Sequence, residues 1–485
     1  MVLLSPVRWL HLCVLVLAGA CGSKKDKPAP APLPEPAVVQ PKKADEPPPP
    51  ADPDKVVQPD FPADTRSLEL THTAAVRQTP GDDGKRIGTV AIDTRVGWSG
   101  TAKAKGCKAA WVEIKPHGWV CGDMVRPTKQ PAMGREVPML DRGDIVPGVY
   151  GRVTAKNAVT YRLEQPKNRE ITSPKQVEAR MVEDKPIVGT MTVRQYEQLT
   201  IAGKAYWRIS QKGNEYVLAQ AVHPHTPSQF RGTRLGDDTG WALPFAFVWP
   251  RGNGQLAWSY HKPNALVYRQ LAARTPVPIL EVADGKDGKP SAYRIGEGEW
   301  LATADARVFH PLPPPPLLRT NERWIDVDLD AQMLVAFEGE LAVYATLISS
   351  GIKDTPTQTG LFRIWLKESE ADMKNLKSED PYSVSTVPWT QFFYVEDDLA
   401  LHTAYWHDQF GRARSHGCIN LAPRDARWLY YWTDPEMPPG WTMTTGVVEA
   451  PGSVVRVRSA ADPSPEWKGY AKKVVEARQN APAAP

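Results

Sequence analysis

The sequence has little net charge and few of the motifs that mark cofactor sites. Its 59 Lys and Arg residues are nearly balanced by 55 Asp and Glu, for a net charge of +4, so the charge does not point to nucleic acid as a partner. The sequence contains no glycine-rich phosphate loop, no CxxC pair and no HExxH motif. No apolar run is long enough to span a bilayer. We therefore predict no cofactor, no metal site and no nucleic-acid partner.

Cysteine is also scarce, and the 5 cysteines lie in different contexts. Cys13 and Cys21 are near the N-terminus, and Cys107 and Cys121 share a short segment rich in β-branched and aromatic residues. If the chain is exported to an oxidising compartment, Cys107 and Cys121 are expected to form a disulfide. Cys418 is then left unpaired, and an unpaired cysteine in an exported protein points to chemistry.

The N-terminal residues have the layout of a secretory signal. Arg8 precedes an apolar stretch, and small residues then lead to Cys21. The run Leu17-Ala18-Gly19-Ala20-Cys21 resembles a bacterial lipoprotein box, which implies that Cys21 becomes the lipid-modified first residue of the mature chain. The alternative is an ordinary signal peptide with an incidental cysteine. Because Gly22 is not the Asp that resembles an inner-membrane retention signal, we expect a lipid anchor in the outer membrane, facing the periplasm.

Proline-rich segments divide the rest of the chain. Residues 21–63 have too few apolar side chains to bury a core, and Pro313–Pro316 mark a second break. The predicted organisation is a signal peptide (1–20), a disordered linker (21–63), a first β unit (64–130), a second (131–228), a third (229–311), a short linker (312–319), a catalytic domain (320–446) and a tail (447–485).

Three stretches between the linkers look alike. Each has two short strands with a polar turn, followed by Val and then Pro; they run through residues 110–127, 206–224 and 293–311. They resemble bacterial SH3-like domains, which implies small β-barrels that bind cell-wall peptides. The alternative is that their aromatic side chains only fill the cores of the units.

The C-terminal part is predicted to be mainly β with one or two helices. Residues 324–329 alternate between polar and apolar, Glu338-Gly339-Glu340 makes a turn, and residues 341–345 return as the second strand of a hairpin. Further strands are predicted at 360–365, 391–395 and 399–402. Pro423 then begins a helix that ends before Pro435.

This part contains Ser415-His416-Gly417-Cys418-Ile419-Asn420, sixteen residues after His402 in Leu401-His402-Thr403. Over residues 320–446 the chain resembles the L,D-transpeptidase catalytic domain, which implies a β-sandwich-like fold for this part. The resemblance implies that Cys418 is the nucleophile and His402 the proton donor and acceptor. It also implies that Ser415, His416, Gly417, Asn420 and Thr403 shape the oxyanion hole or bind substrate.

The chemistry of the thiol supports the choice of His402. A free thiol is only a few per cent ionised at neutral pH, so an amide-cleaving cysteine needs an imidazole or a lowered pKa. His416 is two residues from Cys418, about 6.6 Å along an extended chain, which is too far for direct contact unless Gly417 bends the path. His402 lies on a separate predicted strand that could face Cys418. A metal site formed by His402, His407, His416 and Cys418 is the competing interpretation.

The resemblance implies attack on the third residue of a cell-wall tetrapeptide stem, release of D-alanine and formation of a thioester. An amine then accepts the acyl group, and the family's acceptors include a second stem, a free D-amino acid and a lysine of a wall-bound lipoprotein. Two other classes stay open, namely hydrolysis of the thioester by a carboxypeptidase or cross-link editing enzyme, and a catalytically silent wall-binding lipoprotein.

Overall fold

The protein is mainly β. The computed structural model describes residues 61–164, 180–236, 239, 241–377, 379 and 381–480. The predicted signal, Cys21 and nearly all of the first proline-rich segment lie outside these residues. Within the described ranges, no helix is both long and apolar enough to cross a membrane.

The first predicted unit contains eight strands. They are β1 (Ser67–Leu70), β2 (Ala74–Arg77), β3 (Arg86–Val90), β4 (Arg95–Val96), β5 (Trp98–Ala102), β6 (Trp111–Ile114), β7 (Trp119–Cys121) and β8 (Val125–Thr128). Strands β4, β1 and β8 form one antiparallel sheet, and β3, β2, β7, β6 and β5 lie side by side in another. A disulfide joins Cys107 to Cys121 and ties β7 to the loop before β6.

The second unit also has eight strands, which form two sheets. They are β9 (Val149–Val153), β10 (Val159–Glu164), β11 (Arg180–Pro186), β12 (Thr190–Gln195), β13 (Glu197–Ile201), β14 (Lys204–Arg208), β15 (Tyr216–Leu218) and β16 (Val222–Pro224). One sheet has the order β11-β10-β15-β14-β13, and β16, β9 and β12 are neighbours in the other. A small core of Val193, Trp207 and Val217 holds the unit together.

The third unit has its own core and nine strands. They are β17 (Thr233–Arg234), β18 (Phe245–Val248), β19 (Leu256–Lys262), β20 (Ala265–Ala272), β21 (Pro276–Pro278), β22 (Glu281–Asp284), β23 (Pro290–Gly296), β24 (Glu299–Ala302) and β25 (Ala306–Phe309). Its core includes Val248, Leu271 and Leu301.

The three units share a local arrangement of two paired strands, one 3₁₀ turn and a final strand. The turns are Gly122–Met124, Ala219–Ala221 and Thr303–Asp305. Trp111 and Trp207 are buried, so at these two positions the aromatic ring fills a core. The resemblance to SH3-like domains stays a prediction.

The C-terminal part has ten strands and two helices. They are β26 (Arg323–Asp328), β27 (Met333–Glu338), β28 (Leu341–Leu347), β29 (Gly360–Arg363), β30 (Leu366–Asn375), β31 (Tyr382–Tyr394), β32 (Leu399–Thr403), β33 (Ile419–Leu421), α1 (Pro423–Trp432), β34 (Trp441–Thr445), β35 (Val454–Arg458) and α2 (Gly469–Asn480). One sheet has the order β17-β28-β27-β26-β35-β29.

Two features of this sheet differ from the prediction. The predicted hairpin is a three-stranded meander, because β27 lies between its two strands; β27 is buried on both faces, so its apolar residues do not alternate with polar ones. The predicted tail supplies β35, which pairs in parallel with β26 and antiparallel with β29. The sheet therefore continues beyond residue 446.

Strand pairing joins the first two units to the C-terminal part in one 13-stranded sheet. Strand β3 pairs with β34, and β12 pairs in parallel with β31. The ring of Tyr150 stacks on that of Tyr405 with the centroids 3.9 Å apart. The second unit is thus fixed against the region that contains the candidate site.

Candidate active site

Two neighbouring strands carry the predicted nucleophile and base. Strands β32 and β33 run parallel, with Leu401 opposite Ile419 and His402 opposite Asn420. Cys418 directly precedes β33. Because side chains alternate along a strand, Cys418, Asn420 and His402 are directed to the same face of the sheet. One parallel pairing thus brings together residues that are sixteen positions apart.

The turn before Cys418 is held by its own hydrogen bonds. Ser415 Oγ donates to the carbonyl oxygen of Cys418 and accepts from the Gly417 N–H, which lies 3.1 Å away. Thr357 Oγ1 donates to the Gly417 carbonyl oxygen at 2.5 Å. Gly417 has a φ of +128°, and a Cβ there would lie 3.0 Å from Leu399 Cδ2, so the turn requires glycine. The hydroxyl proton of Ser415 is used within the turn.

The Cys418 thiol is neutral at rest. Although part of the residue is exposed, the protein around its sulfur raises the pKa of the thiol to about 11; the Asp398 charge adds to this increase and a hydrogen bond from Ala400 N–H opposes it. Sγ donates to the Asp398 carbonyl oxygen at 3.7 Å. Within the described structure no hydrogen bond joins Sγ to His402, so the thiol is not ionised in advance by the imidazole.

His402 is buried and neutral, with a defined tautomer. Its Nδ1 lies 2.9 Å from the carbonyl oxygen of Thr403. A carbonyl oxygen can only accept, so Nδ1 carries the ring proton and Nε2 keeps its lone pair. Burial lowers the pKa of His402 to about 4, and the bond to Thr403 opposes this shift. The neutral ring can therefore accept a proton through Nε2.

The hydrogen bonds of His407 fix the orientation of the Asn420 amide. The Gln409 N–H donates to His407 Nδ1 at 3.1 Å, and burial lowers the pKa of His407 to about 4. The ring proton is therefore on Nε2, which must donate to the amide atom of Asn420 that lies 3.1 Å away. The Asn420 amide is therefore rotated by 180°, so that its oxygen and nitrogen exchange places and the oxygen faces His407. The other amide atom, which is buried without a partner, is then the NH₂ group.

A cavity of about 250 Å³ connects these residues. From the C-terminal part it is lined by Met373, Tyr382, Val384, His402, Trp406, Arg414, Ser415, His416, Cys418 and Asn420, and from the second unit by Arg152, Thr190, Thr192 and His225. The residues of the second unit and Arg414 were not among the predicted site residues. A larger cavity of about 810 Å³ near Trp428 and Arg231 contains neither Cys418 nor His402.

Not every predicted residue reaches this cavity. Thr403 is fully buried, and alternation directs its side chain away from the face that His402 occupies; it contributes its carbonyl oxygen instead. His416 does line the cavity, but it is exposed, and its ring stacks on that of Tyr382 with the centroids 5.0 Å apart. Gly417 N–H is used by Ser415, so this group is not free for an oxyanion.

Among the described residues, one group of three potential metal ligands, Cys107, Cys121 and Asp123, brings its ligand atoms within 4.8 Å of one another. Both sulfurs of that group are in the disulfide. His402, His407, His416 and Cys418 do not form such a group.

The C-terminal part is similar to known proteins. Residues 322–457 match the family model of the YkuD L,D-transpeptidase catalytic domain. A putative L,D-transpeptidase, YciB, of Bacillus subtilis is 29% identical over 129 residues, which are 24% of this chain and 63% of that relative.

Two solved structures are each similar to about 30% of this chain. A crystal structure of an Enterococcus faecium L,D-transpeptidase mutant is 26% identical, with 30% of this chain and 51% of that chain covered and a TM-score of 0.24. An L,D-transpeptidase from Stackebrandtia nassauensis is 25% identical, with 29% and 57% covered and a TM-score of 0.21. This chain thus spans between about half and two thirds of the length of these relatives.

Proposed function

We propose that this chain, which carries an L,D-transpeptidase catalytic domain at residues 322–457, is a cysteine acyltransferase that acts on cell-wall peptide stems. The observation that supports this most directly is the pairing of β32 with β33. It places the Cys418 thiol and a neutral imidazole with a free Nε2 on one cavity. These are the groups that an acyl transfer through a thioester requires.

The first half of the reaction follows from this arrangement. His402 Nε2 removes the thiol proton as Sγ attacks the carbonyl carbon of the third stem residue, and the C=O electron pair moves onto oxygen. We assign the N–H of Cys418 itself as the donor for that oxyanion, because the Gly417 N–H already donates to Ser415 Oγ. When the tetrahedral intermediate collapses, the C–N bond breaks and the imidazolium gives its proton to the departing amine of D-alanine.

The second half reverses these steps with a new amine. The acceptor amine attacks the thioester carbonyl, His402 takes a proton from it, and the thiolate leaves and is reprotonated. A second stem, a free D-amino acid or a lysine of a wall-bound lipoprotein could each supply the amine. Water in its place would give hydrolysis, the carboxypeptidase or editing activity.

Incubation of the full chain with defined tetrapeptide muropeptides tests the proposal. Mass spectrometry of the products distinguishes a new amide bond from a simple loss of D-alanine by hydrolysis. A carbapenem should add its mass to the wild type and not to Cys418→Ala. Full turnover by the Cys418→Ala variant would rule out the thioester mechanism, and a wild type that neither turns over nor acylates would favour a silent wall-binding role.

Export and membrane attachment form a separate proposal. We propose that Cys21 carries lipid, that the protein faces the periplasm from the outer membrane, and that residues 64–311 help to retain it at the wall. Labelling cells with radioactive palmitate, with and without Cys21→Ala, tests the anchor. Retention of the 64–311 fragment on purified sacculi tests the wall contact, and absence of retention would leave these units with a structural role only.

A further inference from the structure

We propose that Arg152, from the second β unit, binds a free carboxylate of the acyl donor and so makes this unit part of the active site. The inference rests on the proposed function, since it concerns how the same site selects its substrate. The residues proposed for catalysis leave one feature of the cavity unexplained. Four of the side chains that line it belong to strands or loops more than 170 positions before His402 in the chain.

The sheet register places Arg152 on the face that borders the cavity. In the antiparallel pair of β9 and β12, Arg152 lies opposite Thr192, and in the parallel pair of β12 and β31, Thr192 lies next to Val384 and Thr190 next to Tyr382. Cross-strand partners share a face of the sheet. All five residues line the cavity together with Cys418. The neighbouring strands β9, β12 and β31 therefore form one continuous wall of the cavity, and Arg152 belongs to this wall.

This wall is rigidly attached. The ring of Tyr150, two residues before Arg152, stacks on Tyr405 at 3.9 Å, and the Tyr405 hydroxyl donates to the carbonyl oxygen of Ser385 at 2.8 Å. The His225 N–H donates to the carbonyl oxygen of Tyr150 at 2.8 Å. The backbone beneath Arg152 is therefore fixed relative to β31, and a fixed backbone is what a specificity residue needs.

The charge on the cavity is unbalanced. Arg152 and Arg414 both line it, and none of its described lining residues is acidic. Arg414 Nε donates to the neutral amide oxygen of Gln409, while the Arg152 guanidinium makes no ion pair or side-chain hydrogen bond with a described residue. Asp398, whose charge acts on Cys418, belongs to the turn before β32 and is not part of the lining. A site with two guanidiniums and no carboxylate favours an anionic ligand.

Two polar atoms in the described lining of the cavity have no hydrogen-bond partner. His225 Nε2 is buried with no hydrogen-bond partner in the described structure, and the same holds for one amide atom of Asn420, which the tautomer of His407 identifies as the NH₂ group. Buried polar groups without partners are uncommon and mark a place where a ligand supplies the missing bonds. A donor peptide in the cavity could satisfy both.

Arginine matches a carboxylate geometrically, because its planar fork donates two parallel hydrogen bonds. A tetrapeptide donor can offer such a carboxylate from two sources, the C-terminal D-residue or the side chain of a third residue that is a diamino diacid. Both present the same chemistry to Arg152. Donors in which one or the other carboxylate is amidated distinguish them.

The test measures equilibrium binding of three tetrapeptide donors, namely the unmodified peptide and two peptides that each have one of the two carboxylates amidated. The protein is the full chain carrying Cys418→Ala, which cannot turn the donors over. We expect Arg152→Ala in this background to weaken binding of the unmodified donor about 10- to 100-fold. Arg152→Lys should recover only part of the loss, since it keeps the charge without the fork. The donor whose amidated carboxylate is the one that Arg152 contacts should bind weakly to the Cys418→Ala parent. Adding Arg152→Ala should not weaken its binding further, and this identifies the contacted carboxylate.

Arg162→Ala is the matched control, because Arg162 is an exposed arginine of the same unit that pairs with Asp184 and does not line the cavity. Equal affinity of the Arg152→Ala and Arg162→Ala proteins for the unmodified donor would overturn the inference. A loss of affinity on Arg152→Ala that is equally large for all three donors would also overturn the inference. With Cys418 intact, Arg152→Ala should raise KM more than it lowers kcat. Arg152-dependent binding without any turnover by the wild type would instead refute the proposed function and leave this inference standing.

Discussion

Nδ1 of His402 donates its proton to the carbonyl oxygen of Thr403, the next residue in the chain, over 2.9 Å. The bond fixes the tautomer without any carboxylate partner. A carboxylate in this position would stabilise the imidazolium, whereas a neutral carbonyl does so only weakly. His402 therefore combines a defined orientation with a pKa near 4, and the acid–base behaviour of the site follows from this combination.

The first prediction is that activity depends little on pH across the neutral range. The imidazole must be neutral to accept the thiol proton, so the acylation rate should fall only as pH drops toward about 4. The thiol holds its proton up to about pH 11. We expect the rate of acylation by a carbapenem, followed by mass spectrometry, to be nearly constant from pH 6 to pH 9.

His402→Gln is the control for this profile. It removes the base while keeping a side chain of similar length, and we expect it to slow acylation about 100-fold or more. An acidic limb centred between pH 6 and pH 7 in the wild type would show that the imidazole titrates normally, contrary to its burial.

The second prediction concerns the turn before the nucleophile. Gly417→Ala would place a Cβ at a φ of +128° and 3.0 Å from Leu399 Cδ2, so we expect a loss of stability of about 1–3 kcal/mol and a large loss of acylation as Cys418 shifts. Gly143→Ala is matched in strain, because Gly143 has a φ of +97° with nothing within 4 Å of its Cβ position. If both variants acylated at the wild-type rate, the turn would not control the position of the thiol.

The residues proposed as nucleophile and base could be singled out from the sequence because the evidence for them is local. Ser415-His416-Gly417-Cys418 and His402 lie within one short stretch, and the chemistry of a thiol demands an imidazole. Thr403 could not be assigned in the same way. Its contribution comes from a backbone carbonyl, which every residue possesses, and not from its hydroxyl.

Arg152 was not predictable, and the reason is the sheet. It reaches the cavity through the parallel pairing of β12 with β31, strands separated by more than 180 residues, and such pairings leave no local pattern. Strand β27 was missed for a related reason, because its burial on both faces removes the alternation that identifies strands. Sequence patterns therefore pointed to the residues of the proposed chemistry but not to the second-unit residues that line the cavity beside them.

The third prediction tests a buried ionic network within the C-terminal part. The fully buried Asp326 carboxylate accepts from Arg456 at 2.6 and 2.9 Å and from Arg458 at 3.0 Å. The same guanidiniums donate to the carbonyl oxygens of His310 and Pro313, which fixes the proline-rich segment predicted as a linker. Asp326→Asn leaves the buried Arg456 without a counter-charge and leaves Arg458 with Asp328 alone, at 2.9 Å, and we expect a loss of about 3–5 kcal/mol in the free energy of unfolding.

A surface ion pair provides the comparison for this network. Glu69 pairs with Arg126, whose side chain is 65% exposed, so Glu69→Gln should cost less than about 1 kcal/mol. Chemical denaturation of both variants measures the difference. If both variants lost a similarly small amount of unfolding free energy, water would reach Asp326 and the network would not hold the proline-rich segment in place.

The last prediction concerns Asp425, in the first turn of α1 directly after β33. Its fully buried carboxyl accepts from the Tyr344 hydroxyl at 2.6 Å, from Thr346 Oγ1 and from the Gly232 N–H at 2.9 Å. Burial nevertheless outweighs these bonds and raises the pKa of Asp425 from 3.8 to about 6. Between these two values the folded state binds more protons than the unfolded state, so stability falls as pH rises.

The shift of roughly two pH units corresponds to about 3 kcal/mol of unfolding free energy, which is present below pH 4 and lost by about pH 7. Asp425→Asn cannot titrate, so the wild-type stability minus that of the variant should decline over this range while all other groups cancel. Denaturant unfolding at pH 4, 5, 6 and 7 measures it. A difference that grows with pH, as for a carboxylate stabilised by its donors, would mean that the three hydrogen bonds outweigh burial and that Asp425 is charged throughout.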